Sequence, residues 1–223
     1  MKETKTIKGM FDNIVESYDF LNHTLSFFQD YYWRYQMFSE VLPAKDMMVL
    51  DLATGTGDSA KVSIKHGFKV IGVDLSYKML YKTKKKMASD SFAPLCASGY
   101  ELPFKNESFS VITCAFGIRN MHETPLALKE INRVLKKGGK VIFLEFSMPK
   151  TLFQYPYRFY LKYVMPFIAS FFSRKEAYDY LYQSIENFPK PDEFSCLLKE
   201  ANFTACKVKL LSLGTVFVIT AFK

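Results

Sequence analysis

Hydrophobic and polar positions follow an alternating pattern in the middle of the chain, residues 46–150. Short apolar runs predict buried strands, at 47–52, 69–74, 93–97, 110–115 and 140–146. Helix-like segments lie between them, at 58–66, 76–88 and 124–136. Such alternation is typical of a largely parallel sheet with helices on both faces. It predicts an α/β fold whose ligand lies at the carboxyl ends of the strands.

The pattern changes on both sides of this centre. Residues 1–45 are aromatic and predict a helical cap, while the C-terminal part predicts a helix at 191–201 and a closing hairpin at 205–213 and 215–222. Residues 151–187 crowd aromatic side chains into an insertion of one or two helices, interrupted at Pro156 and Pro166. This insertion could be an ordinary core helix pair, or it could line an apolar pocket or touch a bilayer. We interpret residues 1–223 as one domain.

Composition narrows the class of protein. With 49% apolar and 23% charged residues in 223, the chain is globular. Its net charge of +8 favours nucleic acid or an anionic membrane as a partner. Four cysteines without close spacing and three scattered histidines predict no metal site and a reducing compartment. The charged N-terminus predicts no signal peptide. The longest apolar run, 163–172, has half the length that a membrane span needs.

A glycine-rich turn follows the first predicted strand. Gly55 and Gly57 allow positive φ and close approach of a ligand, and Asp74 comes 19 residues after Gly55, where an acid can accept bonds from a ribose diol. The spacing also fits a loose NAD fingerprint. Asp51 argues against NAD because a carboxylate repels a pyrophosphate and tolerates an ammonium or sulfonium. A turn without any ligand is the remaining alternative.

Four stretches of the chain resemble a known enzyme family. The Asp51–Gly57 arrangement resembles motif I of the class I S-adenosylmethionine (SAM) methyltransferases. Together with it, residues 18–34, 116–120 and 133–147 resemble the C-methyltransferases of menaquinone and ubiquinone biosynthesis. The resemblance implies a class I SAM methyltransferase (Rossmann-like) fold of seven strands with the last antiparallel, SAM as cofactor, and methylation of a prenylated quinol ring carbon.

Site residues follow from the same resemblance. The expected contacts to SAM come from the glycine turn and from strand ends, namely Asp51, Gly55, Thr56, Gly57, Asp74, Ser98, Gly99 and Ala115. Tyr18, Arg119 and Asn120 are expected to face the quinol. The chain departs from the family at four places: it has Leu21 for Met, Asp30 for His, Ser98-Gly99 for an Asp/Asn-Ala pair, and Ala115 for Ser.

The chemistry explains why such residues are needed. A quinol carbon becomes nucleophilic when a ring hydroxyl, with a pKa near ~10, loses its proton. Arg119 suits stabilisation of the phenolate. Asn120 suits a hydrogen bond to the second ring oxygen, and Tyr18 suits a proton relay or stacking on the ring. The structural alternatives are that Arg119 pairs with Asp19 or Glu145, Asn120 is a turn residue and Tyr18 a core residue. His122 is expected to be a loop residue rather than the base, and His23 and His66 to be structural or exposed.

The expected substrate is demethylmenaquinol, which becomes menaquinol. The alternatives are a methoxy-polyprenyl-benzoquinol or another lipophilic or aromatic small molecule. A nucleic-acid methyltransferase is disfavoured because Phe116–Arg119 stands where Asp/Asn-Pro-Pro-aromatic is expected. A non-catalytic SAM- or lipid-binding protein and an NAD-dependent reductase are the other rivals. We expect a cytoplasmic protein, peripheral at the inner face of an anionic membrane, that binds no nucleic acid. A homodimer is left open.

Overall fold

The computed structural model describes residues 2–39, 41, 47–87, 89–170 and 175–223. Seven strands form one sheet in the order β3-β2-β1-β4-β5-β7-β6. The strands are β1 Met48–Leu52, β2 Lys69–Asp74, β3 Phe92–Cys96, β4 Phe109–Ala115, β5 Leu135–Phe146, β6 Ala205–Leu211 and β7 Val216–Phe222. All neighbouring pairs are parallel except those of β7, which runs antiparallel to β5 and β6. The predicted class I fold is therefore confirmed.

Helices cover both faces of the sheet. They are α1 Lys2–Leu25, α2 Gln29–Phe38, α3 Asp58–Lys65, α4 Tyr77–Lys86, α5 Thr124–Val134, α6 Gln154–Phe159, α7 Met165–Ser170, α8 Lys175–Asn187 and α9 Pro191–Glu200. Successive strand residues point to opposite faces, so Leu50 and Ile112 belong to the core beneath α5 and α9, whereas Val49 and Val111 belong to the core beneath α2 and α3. A third core joins α1 to the insertion.

The fifth strand begins earlier than predicted. Phe109 pairs with Leu135 but Val111 pairs with Lys140, so the residues between form a bulge rather than a preceding turn. Gly138 takes a φ of 72° there, and its N–H donates to the carbonyl of Lys223. The glycine pair therefore fastens Lys223 to the start of β5, inside the sheet.

The aromatic insertion is more continuous than its prolines suggested. Pro156 lies in the first turn of α6, where no intrahelical donor is required. Pro166 lacks the N–H for the carbonyl four residues earlier, and a π-helical turn, Tyr160–Val164, joins α6 to α7 just before it. The expected interruption at both prolines was thus wrong. Residues 171–174, with the predicted contributions of Phe171, Phe172 and Arg174, lie outside the described residues, as do 1, 40, 42–46 and 88.

None of the helices in the described ranges is both long enough and apolar enough to cross a bilayer.

Candidate active site

Two adjoining cavities open where β1, β2 and β4 end. The larger has a volume of about 540 Å³ and the smaller about 130 Å³. Tyr18, Ala53, Gly55, Ala115 and Phe116 line both, so the two cavities share one wall. One elongated ligand can therefore occupy both.

The glycine turn forms this shared wall. Gly55 and Gly57 have φ of 56° and 84°, which other residues rarely adopt. A methyl group on Gly57 would lie 2.5 Å from Thr83 Cγ2 and 2.6 Å from Met87 Cε. Thr83 also donates to the Gly55 carbonyl at 2.6 Å. Packing against α4 thus requires glycine at position 57, which lines neither cavity.

Asp74 ends β2 at the smaller cavity, beside Ser98 and Gly99. Its carboxylate accepts from the backbone N–H groups of Gly55 at 2.9 Å and Ser76 at 2.8 Å. Burial raises the pKa of Asp74, opposed by these backbone donors and increased by the charge of Asp12. The carboxylate is thereby held in one place, at the position expected for a diol acceptor.

Asp51 lies behind the turn. It is 1% exposed, and its oxygens accept the hydroxyls of Thr54 at 2.6 Å and Thr113 at 2.7 Å. Burial raises its pKa to about 6. Asp51 lines neither cavity, so its expected contact with the cofactor stays a prediction. Its hydrogen bond to Thr54 holds the turn in place.

Arg119 lies on the wall of the larger cavity. Its Nη1 donates to Glu145 and to the Phe116 carbonyl, both at 2.7 Å, and its guanidinium lies 5.3 Å from the Phe146 ring centroid. Burial raises the pKa of Glu145, and the charge of Arg119 opposes this. Of the two partners considered, Glu145 is therefore the one that the structure shows. Arg119 Nε is buried without an acceptor in the described part of the chain.

Tyr18 lines both cavities, and burial raises its pKa. Asn120 does not share the larger cavity with Arg119. It lines the smaller one, with Nδ2 donating to the Phe116 carbonyl at 3.2 Å and Oδ1 accepting the Tyr180 hydroxyl at 3.1 Å. Asn120 and Arg119 nevertheless stay close, since both donate to the Phe116 carbonyl, and the expected contact of Asn120 with the quinol stays a prediction.

Thr56 lines the larger cavity and bonds to Asp19. The histidines lie off both cavities. His122 is exposed, with its ring edge-on to Tyr100, and His66 packs against Phe38. His23 bonds to Asp30.

Asp30, Arg34 and Tyr157 are among the residues of the larger cavity that were not predicted as site residues. Asp30, noticed only as a departure from the family, and Arg34 are both buried and form an ion pair at 2.6 Å. Tyr157 comes from the insertion, and burial raises its pKa strongly. The sequence contains one indication of Arg34, because it is a charged residue directly after Trp33 in a helix rich in aromatic side chains. Nothing in the pattern distinguished Tyr157 from its aromatic neighbours.

Comparisons with known proteins agree with one another. The model of the ubiE/COQ5 methyltransferase family matches residues 1–223. A ubiquinone/menaquinone biosynthesis C-methyltransferase from Geotalea daltonii is 40% identical over 97% of this chain and 96% of its own. A demethylmenaquinone methyltransferase from Chlorobaculum parvum is 38% identical over 100% of this chain and 94% of its own. Among solved structures, a SAM-dependent methyltransferase from Thermotoga maritima has a TM-score of 0.70 at 21% identity, covering 96% of this chain and 98% of its own.

The raised pKa of Asp51 leads to a prediction about Asp51→Asn. Burial favours the protonated form of Asp51 in the folded state, so its pKa is 3.8 in the unfolded chain and about 6 in the folded protein. The wild type therefore loses stability as the pH rises through this range. Asparagine does not ionise, so the variant does not lose stability in this way. The variant should therefore gain on the wild type by about 2 kcal/mol between about pH 4 and about pH 7.5. Urea unfolding at both pH values measures it.

The control is Asp192→Asn, whose parent side chain is 77% exposed and should show a much smaller change. A stability difference for Asp51→Asn that stays constant with pH would contradict the assignment.

Proposed function

The chain belongs to the ubiE/COQ5 methyltransferase family, and on that premise we propose that it methylates demethylmenaquinol to menaquinol. It is a SAM-dependent C-methyltransferase of quinone biosynthesis. The observation that carries the substrate proposal is the larger cavity, which has the glycine turn on one wall and Arg119 among aromatic side chains on another. A methyl donor and a flat ring can meet there.

The residues of the two cavities fit SAM. Asp74 would accept the ribose hydroxyls, and Ser98 and Gly99 would flank the adenine in the smaller cavity. The ligand would extend past Gly55 into the larger cavity, which Thr56 also lines. When bound, SAM supplies an activated methyl group on a sulfonium. The buried carboxylates of Asp51 and Asp74 favour a cationic ligand at this turn.

Arg119 would stabilise the ionised quinol. A ring hydroxyl would give its proton to water, and the ring carbon would take the methyl group that bound SAM supplies, with S-adenosylhomocysteine as the leaving group. The ring carbon would then give its hydrogen to water as a proton. The negative charge on the ring oxygen needs a fixed donor, which the Nε of Arg119 offers without competition among the described residues. Glu145 keeps the guanidinium in place. Tyr18 and Tyr157 contribute further hydroxyls to the same cavity.

Exposed apolar side chains surround the mouth of this cavity. Phe27 and Leu213 are 70% and 71% exposed while also lining the cavity, and Phe153, which lines it too, is 39% exposed. Phe28 beside them is exposed too, and Phe27 and Phe28 both adopt positive φ. Together with the net charge of +8, this surface supports reversible attachment to an anionic membrane. A prenylated quinol would then enter from the lipid.

Substrate turnover tests the proposal directly. Purified protein is given SAM with the demethylnaphthoquinol or with the methoxy-benzoquinol, each reduced and oxidised, and S-adenosylhomocysteine is measured. We expect turnover on the reduced naphthoquinol, since its second ring adds about 1 kcal/mol of apolar burial, a several-fold preference. Turnover on an oxidised quinone would contradict the phenolate mechanism, and turnover on benzoquinol alone would reverse the choice of ring.

Arg119→Lys should keep SAM affinity and lose most turnover. Lysine preserves the charge against Glu145 but not a planar guanidinium with several donors. Calorimetry and the methyl-transfer assay separate the two effects. Arg158→Lys, at an exposed pair with Glu186, is the matched control and should retain activity. Near-wild-type turnover of Arg119→Lys would remove Arg119 from the proposed role.

Liposome flotation tests the membrane surface. Anionic vesicles should carry the wild type upward at low salt, and high salt should release part of it. Phe27→Ser combined with Leu213→Ser should reduce flotation severalfold, because both side chains are largely exposed at the cavity mouth. Leu126→Ser, at an exposed position on α5, is the control. Absence of wild-type binding at low salt would favour delivery of substrate by a partner.

A further inference from the structure

Arg34 is a buried cation with unused donors on the wall of the larger cavity. Its hydrogen bonds to described residues all run through Nη1, to the carbonyl of Asp30 at 3.2 Å and to its carboxylate at 2.6 Å. The Nε is buried with no acceptor in the described part of the chain. We propose that Arg34 binds the carboxylate of the methionine portion of SAM, an inference that rests on the function proposed above.

The placement follows from the two cavities. If Asp74 takes the ribose in the smaller cavity, the amino-acid end must pass Gly55 into the larger one. The wall it reaches includes Thr56 and Ser59 at the start of α3. A chain of short contacts joins Arg34 to this same helix start. Asp30 lies 2.7 Å from His23 Nδ1, and His23 Nε2 lies 3.7 Å from Asp58.

Charge makes a cation necessary there. Asp30 and Asp58 line this part of the cavity, and carboxylates so placed attract the ammonium of the ligand but repel its carboxylate. Among the described residues, the cations that line the larger cavity are Arg34 and Arg119. Arg119 is paired with Glu145, and the proposed function assigns its Nε, which has no acceptor in the described ranges, to the ionised quinol. Arg34 is therefore the cation left for the methionine carboxylate.

The geometry of a guanidinium suits this role. With Nη1 taken by Asp30, the edge formed by Nε and Nη2 carries no hydrogen bond to a described residue. Two parallel N–H groups on one edge match the two oxygens of a carboxylate. Asp30 is itself held by Ser26 at 3.0 Å and by His23, so it acts as a positioning residue for Arg34.

Two ligands distinguish this role from a general effect on the fold. S-adenosylhomocysteine has the methionine-derived carboxylate, whereas 5′-methylthioadenosine retains the adenosine and sulfur without the amino acid. Calorimetry should show that Arg34→Gln weakens S-adenosylhomocysteine by about 10- to 100-fold and leaves 5′-methylthioadenosine unchanged. Asp74→Ala should weaken both, because both contain the ribose. Arg158→Gln, at a position that lines neither cavity, should change neither affinity.

Each other outcome is decisive. Equal S-adenosylhomocysteine affinity in wild type and Arg34→Gln overturns the inference, and equal weakening of both ligands overturns it by making Arg34 structural. If the glutamine variant does not fold, Arg34→Lys replaces it; this should weaken only S-adenosylhomocysteine, since it loses the planar edge. Failure of the wild type to bind S-adenosylhomocysteine at all would count against the proposed function instead.

Discussion

The site depends on the buried carboxylate of Asp51. One of its oxygens accepts Thr54 from the glycine turn and the other accepts Thr113 from β4, so a single side chain on β1 fixes both neighbours. Burial of this acid is costly, as its raised pKa indicates. The two threonines compensate by satisfying the oxygens, and the turn is held where the two cavities meet.

Both cations of the larger cavity follow one arrangement. Arg34 is paired with Asp30 and stacks over Phe116; Arg119 is paired with Glu145 and stacks over Phe146. The two rings contact each other at a centroid distance of 4.5 Å. Each arginine stays charged, but each ion pair has no net charge within the apolar wall, and N–H donors remain for a ligand. A cavity of this kind can accept an apolar ring and still stabilise charge that develops during a reaction.

The sequence predicted the sheet well because the signals for its strands and turns are local. Val141–Leu144 in β5 is an uninterrupted apolar run, and two glycines separated by one residue shortly after a buried strand, as at Gly55 and Gly57, are typical of a tight turn. The failures concern choices made in three dimensions. Pro166 did not break the insertion because a π-helical turn absorbed its missing donor. The hydrogen bond between Asn120 and Tyr180, which lies 60 positions later in the insertion, has no signature in sequence spacing.

In the residues between α1 and α2, folding stability and exposed apolar surface oppose each other. Phe27 and Phe28 take φ of 52° and 60°, a region where each bulky residue costs about 1–3 kcal/mol. Glycine at either position would relieve that strain but would remove a ring from the cavity mouth. A mutational search for thermal stability alone would therefore select against these two aromatics, and a stabilised variant obtained that way would lose apolar surface first at the entrance of its own cavity.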